Sequence, residues 1–240
     1  MKKSVLITGA NKSIGFETAR VMGKRGYKVW LGCRDLKRGE HAVNLLLREG
    51  IDAGLAVIDV THQESIDKAV QLIDIEDSKL DVLINNAGIP GTYPVAPDEQ
   101  NISDIMEVYD TNVFGAIRVT QAFLPLLKSG EKSRIIMVSS GLGSLEWVSD
   151  PTHFYSQVAA LGYTSSKTAL NGVTVSFANA LSEYSISVNA VDPGYTATDF
   201  NGHTGHRSIP EAVSGIVWLA AEASQDITAG FFFDRKRAPW

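Results

Sequence analysis

The 240-residue chain carries a formal net charge of −5, with 44% hydrophobic and 20% charged residues. This balance is ordinary for a folded globular protein and argues against a disordered chain. An acidic chain without a run of Lys or Arg is a poor candidate for binding nucleic acid or an anionic membrane surface. Cys33 is the only cysteine, so an internal disulfide and a paired-cysteine metal site are excluded.

No metal site or targeting segment is predicted either. The histidines are scattered, and only His203 and His206 lie close together along the chain. The apolar run at residues 5–7 is too short for the core of a signal peptide. No stretch approaches the roughly 20 apolar residues that span a bilayer. We therefore expect a cytoplasmic protein that makes no membrane contact.

Apolar runs of strand length alternate with helical patterns along the whole chain. Strands are predicted at residues 4–8, 28–32, 53–58, 80–84, 134–138, 185–190 and 230–233. Helices are predicted at residues 14–25, 38–48, 63–73, 102–128, 160–184 and 209–221. This alternation predicts an α/β fold, a single-domain Rossmann-type doubly wound parallel sheet of about seven strands with helices on both faces. No linker divides residues 1–240, and ligands of such sheets bind at the carboxyl ends of the strands.

The segment that joins the first strand to the first helix has the composition of a phosphate-binding loop. Gly9 permits a tight turn, and Gly15 lets the helix begin close to the sheet. The free N–H groups and positive dipole end of a helix N-terminus attract anions. A dinucleotide is therefore predicted to bind at this loop. The loop residues expected to contact it are Gly9, Asn11, Lys12, Ser13, Ile14 and Gly15.

The end of the second predicted strand bears on which dinucleotide binds. An acidic residue at this place accepts a hydrogen bond from the ribose 2′-hydroxyl of NAD, whereas arginine pairs with the 2′-phosphate of NADP. Arg34 and Arg38, together with Lys12 in the loop, favour NADPH over NAD. Asp35 leaves NAD open, because its carboxylate is also placed to face the ribose.

Tyr163 and Lys167 open the long helix predicted at residues 160–184. Their i,i+4 spacing puts both side chains on one helix face. A nearby ammonium group favours the phenolate and brings a tyrosine, whose ordinary pKa is about 10, closer to use as an acid. The pattern is common by chance on helices, so it gains weight only from the other motifs. Tyr155 is not an alternative, because Ala159 stands where its lysine would be.

Taken in order, the motifs resemble the short-chain dehydrogenase/reductase family, in its carbonyl-reductase-like branch. Residues 8–15 are similar to its T-G-x-x-x-G-x-G loop, with Ser13 in place of the middle glycine. Residues 85–88 match its N-N-A-G string, and residues 193–198 resemble its P-G-x-x-x-T segment. The resemblance covers essentially the whole chain and identifies residues 1–240 as one NAD(P)-binding Rossmann-fold catalytic domain.

The resemblance implies roles for individual residues. It identifies an Asn-Ser-Tyr-Lys catalytic tetrad, here Asn112, Ser140, Tyr163 and Lys167. Further cofactor contacts that it implies are Asp59, Val60, Asn86, Ala87, Gly88, Tyr163, Lys167, Pro193, Gly194, Thr196 and Thr198. Ser13 departs from the pattern, and its side chain either donates a hydrogen bond to the pyrophosphate or crowds the loop. Asn112 in mid-helix indicates a bend or a bound water.

The stretch between Ser140 and Tyr163 is longer than is usual in the family. The extra residues, at 144–160, either wall the substrate pocket, block a helix-pairing face used in tetramers, or form a plain surface loop. Residues 199–209 are predicted to be a mobile lid. An apolar and aromatic substrate pocket is predicted from Ile89, Pro90, Tyr93, Leu142, Trp147, Tyr155 and Tyr195.

The predicted function is NADPH-dependent reduction of a ketone or aldehyde to an alcohol, with Tyr163 as the general acid. Alternatives are an NAD-linked alcohol or sugar dehydrogenase, and a regulator that binds NADPH without catalysis. The expected partner is a small carbonyl substrate. A homodimer, a homotetramer and a monomer all remain compatible with the sequence.

Overall fold

The computed structural model describes residues 2–240 and contains one mainly parallel sheet. Its strands are β1 (Ser4–Thr8), β2 (Lys28–Cys33), β3 (Ala53–Val57), β4 (Val82–Asn85), β5 (Arg134–Val138), β6 (Ser187–Asp192), β7 (Phe231–Phe233) and β8 (Lys236–Arg237). Their order across the sheet is β3-β2-β1-β4-β5-β6-β7-β8. The first seven strands are parallel, and β8 pairs antiparallel with β7. The predicted doubly wound parallel sheet is confirmed, with one more strand than the sequence indicated.

Helices connect the parallel strands and cover both faces of the sheet. They are α1 (Ser13–Lys24), α2 (Leu36–Arg48), α3 (Gln63–Asp77), α4 (Ile102–Tyr109), α5 (Ala116–Lys128), α6 (Leu145–Ser149), α7 (Leu161–Ala180) and α8 (Ile209–Val217). Alternate residues of a strand point to opposite faces, so Leu6 of β1 joins a different buried cluster from Val5 and Ile7. Leu6 packs in the cluster of Phe123 from α5, whereas Val5 and Ile7 pack in that of helices α1, α2 and α8. Burial on both faces explains why these strands read as continuous apolar runs.

The strand order reverses beside β1, which pairs with β2 on one side and β4 on the other. In such a sheet the connections leave β1 and β4 in opposite directions, and a crevice opens at their carboxyl ends. The segments that follow β1, β2, β4, β5 and β6 therefore meet at one edge. These are the segments that carry the predicted site residues.

Two predicted elements differ from the structure in instructive ways. The helix predicted at residues 102–128 is divided into α4 and α5 by a π-helical turn, Asp110–Gly115. A turn of this type inserts one extra residue and often marks a functional position. Strand β6 starts at Ser187 and not at residue 185, because Ser185 has a positive φ of 55° that no strand residue adopts. Strand β6 also ends later than predicted, at Asp192 and not at residue 190.

Within residues 2–240, no helix is long and apolar enough to cross a membrane. The same residues contain no group of three or more His, Cys, Asp or Glu side chains arranged to hold a metal ion.

Candidate active site

A cleft of about 790 Å³ lies along the carboxyl ends of the parallel strands. Every residue that was predicted to contact a cofactor lines it, from Gly9 in the first loop to Thr198 after β6. Ser140, Tyr163 and Lys167 line it as well, whereas Asn112 lies behind its wall. The cleft has two halves: the phosphate loop and the end of β2 form one, and the predicted catalytic residues form the other. It is long enough to hold a dinucleotide beside a second molecule.

The phosphate loop is shaped by two glycines and by the start of α1. Gly9 has a positive φ of 65°, and a Cβ on Gly15 would lie 2.5 Å from the Gly9 carbonyl oxygen. The first hydrogen bond of α1 runs from the Phe16 N–H to the Lys12 oxygen. The preceding N–H groups, on residues that line the cleft, are those that a helix leaves available for an anion. This cradle fits the pyrophosphate of a dinucleotide.

Ser13 has a positive φ of 51°, in the left-handed region. An L-residue with a Cβ in this region carries a conformational cost of roughly 1–2 kcal/mol that glycine avoids. The backbone therefore explains why glycine is usual at this place in the family that the sequence resembles. From the sequence, the Ser13 side chain is expected either to donate a hydrogen bond or to crowd the loop, and neither expectation includes this backbone constraint.

Asn86 braces the phosphate loop from the neighbouring strand end. Its Nδ2 donates to the Thr8 carbonyl oxygen at 2.8 Å and to the Gly9 oxygen at 3.2 Å. The Thr8 hydroxyl accepts from the N–H groups of Asn86 and Ala87, each at 3.0 Å. Asn85 points the other way and donates to the Thr120 hydroxyl at 2.9 Å. The two adjacent amides thus connect the loop to the sheet and the sheet to α5.

At the end of β2, Asp35 acts as the N-cap of α2. Its Oδ1 accepts from the Arg38 backbone N–H at 2.9 Å, a bond that fixes the carboxylate toward the helix. Arg34 and Arg38 are exposed at the rim of the cleft. The Arg38 Nε lies 3.9 Å from Asp35 Oδ2, a long and solvated ion pair. Both guanidinium groups are therefore accessible to an anion.

Lys12, at the other side of this rim, is paired across the cleft. Its Nζ lies 2.7 Å from Oδ2 of Asp199, in the segment after β6. The other carboxylate oxygen of Asp199 lies 2.8 Å from His203 Nε2. All three side chains are largely exposed, so these ion pairs contribute little to stability. They do place residues 199–203, part of the predicted lid, directly opposite the phosphate loop.

Asp59 follows β3 and lies on the floor of the same half of the cleft. Burial opposes its ionisation, but the N–H and hydroxyl of Thr61 bind Oδ1 at 3.0 and 2.7 Å and the His62 ring lies nearby. The net effect lowers the pKa of Asp59. It is thus an anionic hydrogen-bond acceptor in the cleft, at a position predicted for contact with the cofactor.

Lys167 is only 5% exposed, and its Nζ donates to the Val138 carbonyl oxygen at 2.8 Å. Burial lowers the pKa of Lys167 to about 8, although the negative charge of Asp192 acts in the opposite direction. The Nζ atom lies 5.6 Å from the centroid of the Tyr163 ring. The i,i+4 pair therefore faces the cleft as the spacing predicted, with an ammonium group that titrates close to neutral pH.

Burial raises the pKa of Tyr163 above its ordinary value, while the nearby Ser140 hydroxyl acts to lower it. The downward shift expected from the Lys167 charge is wrong for this structure, because burial has the largest effect on the Tyr163 pKa and raises it. Tyr163 therefore carries its proton at neutral pH, and its hydroxyl lies near that of Ser140.

Asn112 lies in the π-helical turn and is 1% exposed. Its Oδ1 accepts from the Ile89 N–H at 2.8 Å, and its Nδ2 donates to the Ile89 oxygen at 3.0 Å and to the Ser166 hydroxyl at 3.1 Å. A Cβ on Gly88 would lie 3.2 Å from Asn112 Oδ1 and 3.7 Å from Lys167 Nζ. Asn112 thus lies at an irregularity of the helix, a π-helical turn, and its side chain joins the loop after β4 to α7.

Aromatic side chains form the walls of the half that contains Tyr163. Phe154 packs against Tyr155 and Tyr195, and Phe200 packs against Tyr163. Of the predicted pocket residues, the cleft is lined by Ile89, Pro90, Tyr93, Leu142, Tyr155 and Tyr195.

Trp147 was also predicted to line this pocket, and it does not. It lies behind the wall, where it stacks on His153 and packs against Phe231 and Phe233. Strand β7 supplies this packing surface, which the local sequence around Trp147 does not indicate. Residues 154–155 and 157–160 of the insertion line the cleft. The insertion therefore walls the substrate half of the cleft.

Asp192 is a residue of the site that sequence reasoning missed. It ends β6, is 4% exposed and lines the cleft close to Tyr155. An acidic residue directly after a buried apolar strand, at the ligand-binding edge of the sheet, was the available signal.

Comparisons with known proteins agree with this geometry. A family model described as short chain dehydrogenase matches residues 3–208. The chain is 36% identical over 230 residues to a protein of Penicillium roqueforti named short-chain dehydrogenase anuI, covering 93% of this chain and 90% of the relative. It is 32% identical over 285 aligned positions to (+)-neomenthol dehydrogenase of Arabidopsis thaliana, covering 97% and 96% of the two chains.

A solved structure extends the similarity to three dimensions. The fold is similar to that of NADPH-bound carbonyl reductase from chicken fatty liver, with a TM-score of 0.88 and 30% sequence identity. The match covers 100% of this chain and 99% of the other. The predicted resemblance to the carbonyl-reductase-like branch is therefore confirmed at the level of family and fold.

The strained backbone at Ser13 yields a testable prediction. Ser13→Gly should raise the free energy of unfolding by about 0.5–1 kcal/mol, because relief of left-handed strain exceeds the added freedom of the unfolded chain. Ser13→Ala is the matched control, since it keeps the strain and removes only the hydroxyl. Urea unfolding of the three proteins measures the difference. A loss of stability in Ser13→Gly relative to Ser13→Ala would contradict the strain.

Proposed function

Because the chain belongs to the short-chain dehydrogenase family, we propose that it is a carbonyl reductase that converts a ketone or aldehyde to the alcohol with NADPH. One observation carries the proposal. Ser140, Tyr163 and Lys167 converge in the half of the cleft that is walled by aromatic side chains, and the other half ends in a phosphate cradle. A reducible group and a dinucleotide can therefore occupy the cleft together.

The side chains have separate parts in the proposed reaction. When bound, NADPH supplies the hydride. Ser140 holds the carbonyl oxygen, and its hydroxyl lies close enough to Tyr163 to lower the Tyr163 pKa, so both hydroxyl groups can reach one substrate oxygen. Tyr163 then donates its proton to the oxygen as negative charge develops there. The buried ammonium group of Lys167 stabilises the phenolate that Tyr163 becomes.

Asn112 acts through position and does not touch the reacting atoms. Its bonds to Ile89 and Ser166 hold the loop after β4 against α7, so that the backbone at Gly88 passes close to Lys167 Nζ. The side chain of Asn112 thereby keeps the walls on the two sides of Lys167 at a fixed separation.

The charges at the rim support NADPH over NADH. Asp35, the residue that kept NAD open, uses Oδ1 to cap α2, while Arg34 and Arg38 stay exposed at the place of a 2′-phosphate. A guanidinium group binds phosphate through paired, charge-assisted hydrogen bonds. Lys12, on the opposite rim, is paired with Asp199, so the preference rests on the two arginines.

Tyr163→Phe tests the proton donor. The variant should lose nearly all ketone reductase activity, at least about 1,000-fold in kcat, because the general acid is removed and burial leaves no ready substitute. NADPH affinity, measured by fluorescence titration, should stay within about twofold of the parent. Reduction of ketones at a tenth of the parental rate or faster would exclude Tyr163 as the donor.

Arg34→Asp tests the cofactor preference. The ratio of kcat/KM for NADPH to that for NADH should fall by roughly 10- to 150-fold, the value of one charged hydrogen bond, and further if the new carboxylate repels the phosphate. Arg48→Asp makes the same charge change at the far end of α2 and should leave the ratio unaltered. An unchanged ratio in Arg34→Asp would contradict the assignment of NADPH.

The pKa of Lys167 predicts how reduction depends on pH. Since burial lowers this pKa to about 8, the side chain is charged below pH 8 and neutral above it. The kcat/KM for ketone should therefore be level near pH 7 and fall as pH rises through about 8, while the Tyr163 proton is still present. Stopped-flow kinetics at saturating NADPH measure the profile. A rate that stays level to pH 10 would show that the Lys167 charge is not required.

A further inference from the structure

A buried carboxyl group and a tyrosine hydroxyl, neither of which takes part in the proposed reaction, lie together in the substrate half of the cleft. The carboxyl group belongs to Asp192 at the end of β6, and the hydroxyl belongs to Tyr155 in the insertion. Both residues line the cleft, and Asp192 is 4% exposed. Burial of a carboxyl group is costly unless hydrogen bonds compensate it, so its surroundings indicate what it is placed to bind.

The protein satisfies Asp192 only in part. Its Oδ1 accepts from the Gly194 N–H at 2.8 Å, and the nearby Gly141 N–H acts to lower the Asp192 pKa. On the other oxygen, Tyr155 Oη lies 3.5 Å from Oδ2, beyond the usual 2.5–3.0 Å of a hydrogen bond between oxygen atoms. A carboxylate has about four acceptor positions, so Oδ2 retains capacity for a donor that enters from the cleft.

Tyr155 places this unsatisfied oxygen close to the reacting group. A Cβ on Gly141 would lie 2.1 Å from the Tyr155 ring, so the ring packs directly on the backbone that follows Ser140. Ser140 is the residue that would hold the carbonyl oxygen of the substrate. A group on an atom next to the carbonyl carbon is therefore placed to reach Tyr155 Oη and Asp192 Oδ2.

The local charges favour a neutral donor over a cation. Lys167 lies close enough to Asp192 for the carboxylate to raise the Lys167 pKa. Arg207, whose charge also acts on Asp192, is bound to both carboxylate oxygens of Asp234 at 2.6 and 2.8 Å. The positive charges of Lys167 and Arg207 would repel an ammonium group beside Asp192, so a hydroxyl group fits the site better.

We propose that Asp192 and Tyr155 form a second polar anchor, which selects ketones that carry a hydroxyl group on the carbon next to the carbonyl. The substrate hydroxyl donates to Asp192 Oδ2 and accepts from Tyr155 Oη, while the carbonyl oxygen lies on Ser140 and Tyr163. The aromatic walls receive the rest of the molecule. This inference rests on the proposed function, because it names the substrate class of the same site.

A matched pair of ketones tests the anchor. 2-Hydroxyacetophenone carries a hydroxyl group where propiophenone carries a methyl group. The kcat/KM for 2-hydroxyacetophenone divided by that for propiophenone therefore measures recognition of the hydroxyl. Comparing the ratio between variants cancels the intrinsic reactivity of the two ketones. In Asp192→Asn the side-chain oxygen still accepts from the Gly194 N–H, so the NH₂ group takes the place of Oδ2. The acceptor for the substrate hydroxyl is thereby replaced by a donor. We expect the ratio to fall at least about 10-fold, mainly through KM for the hydroxy ketone.

Tyrosine variants provide a second, independent measurement. Tyr155→Phe should lower the ratio by about threefold or more, since it removes one of the two partners of the substrate hydroxyl. Tyr195→Phe is the matched control in the same aromatic wall, where the hydroxyl is bound to Thr204. It should leave the ratio within about twofold of the parent. This comparison remains available if Asp192→Asn does not fold.

Two results would overturn the anchor. One is an unchanged ratio in both Asp192→Asn and Tyr155→Phe. The other is an equal loss for both ketones together with weaker NADPH binding, which would mean that Asp192 only shapes the turn at residues 193–194. Failure of the proposed function is distinguishable, because the parent protein would then bind NADPH and oxidise it with neither ketone.

Discussion

The hydrogen bond from Lys167 Nζ to the Val138 carbonyl oxygen is the contact on which the rest of the site depends. A buried ammonium group requires partners, and this one finds them only where the ends of several strands meet. Val138 ends β5, and the charge of Asp192 at the end of β6 lies within its influence. The register of α7 is set by this contact, and Tyr163, one turn earlier, is carried into the cleft as a consequence.

The same constraint explains why the neighbouring elements are built from such specific residues. Space beside the ammonium group is limited, so the backbone passes at Gly88, where a Cβ would approach both Asn112 and Lys167. The π-helical turn brings Asn112 into position to fix that backbone through Ile89. A site of this kind tolerates change in its outer walls, where the insertion before α7 forms an aromatic surface, more readily than change at these contacts.

Much of the fold and part of the site could be predicted, because the signals involved are local. Strands buried on both faces are continuous apolar runs, and the spacing of Tyr163 and Lys167 places them on one helix face whatever else the chain does. Gly9 and Gly15 likewise indicate a turn from the local sequence alone. Gly9 is needed for its positive φ, and Gly15 for the close approach of the backbone. These features require no knowledge of distant residues.

The remaining features depend on contacts between distant parts of the chain. Asn112 is bonded to residues 23 and 54 positions away, and Tyr155 meets Asp192 across 37 positions. Trp147 lies behind the pocket wall because it packs against β7, and the pKa of Tyr163 rises because of a degree of burial that no local pattern reports. Sequence reasoning named the chemical groups but could not weigh desolvation against charge.

The claim that this cleft performs carbonyl reduction is tested most directly by following the hydrogen that is transferred. Parent protein would be incubated with NADPH carrying deuterium at C4 on one face or the other, and with a panel of aryl and alicyclic ketones, and the alcohol formed would be analysed by mass spectrometry and NMR. We expect one deuterium on the carbinol carbon from one of the two labelled cofactors and none from the other. Alcohol without deuterium from either cofactor, or no alcohol from any ketone while NADPH binds, would contradict hydride transfer in this site.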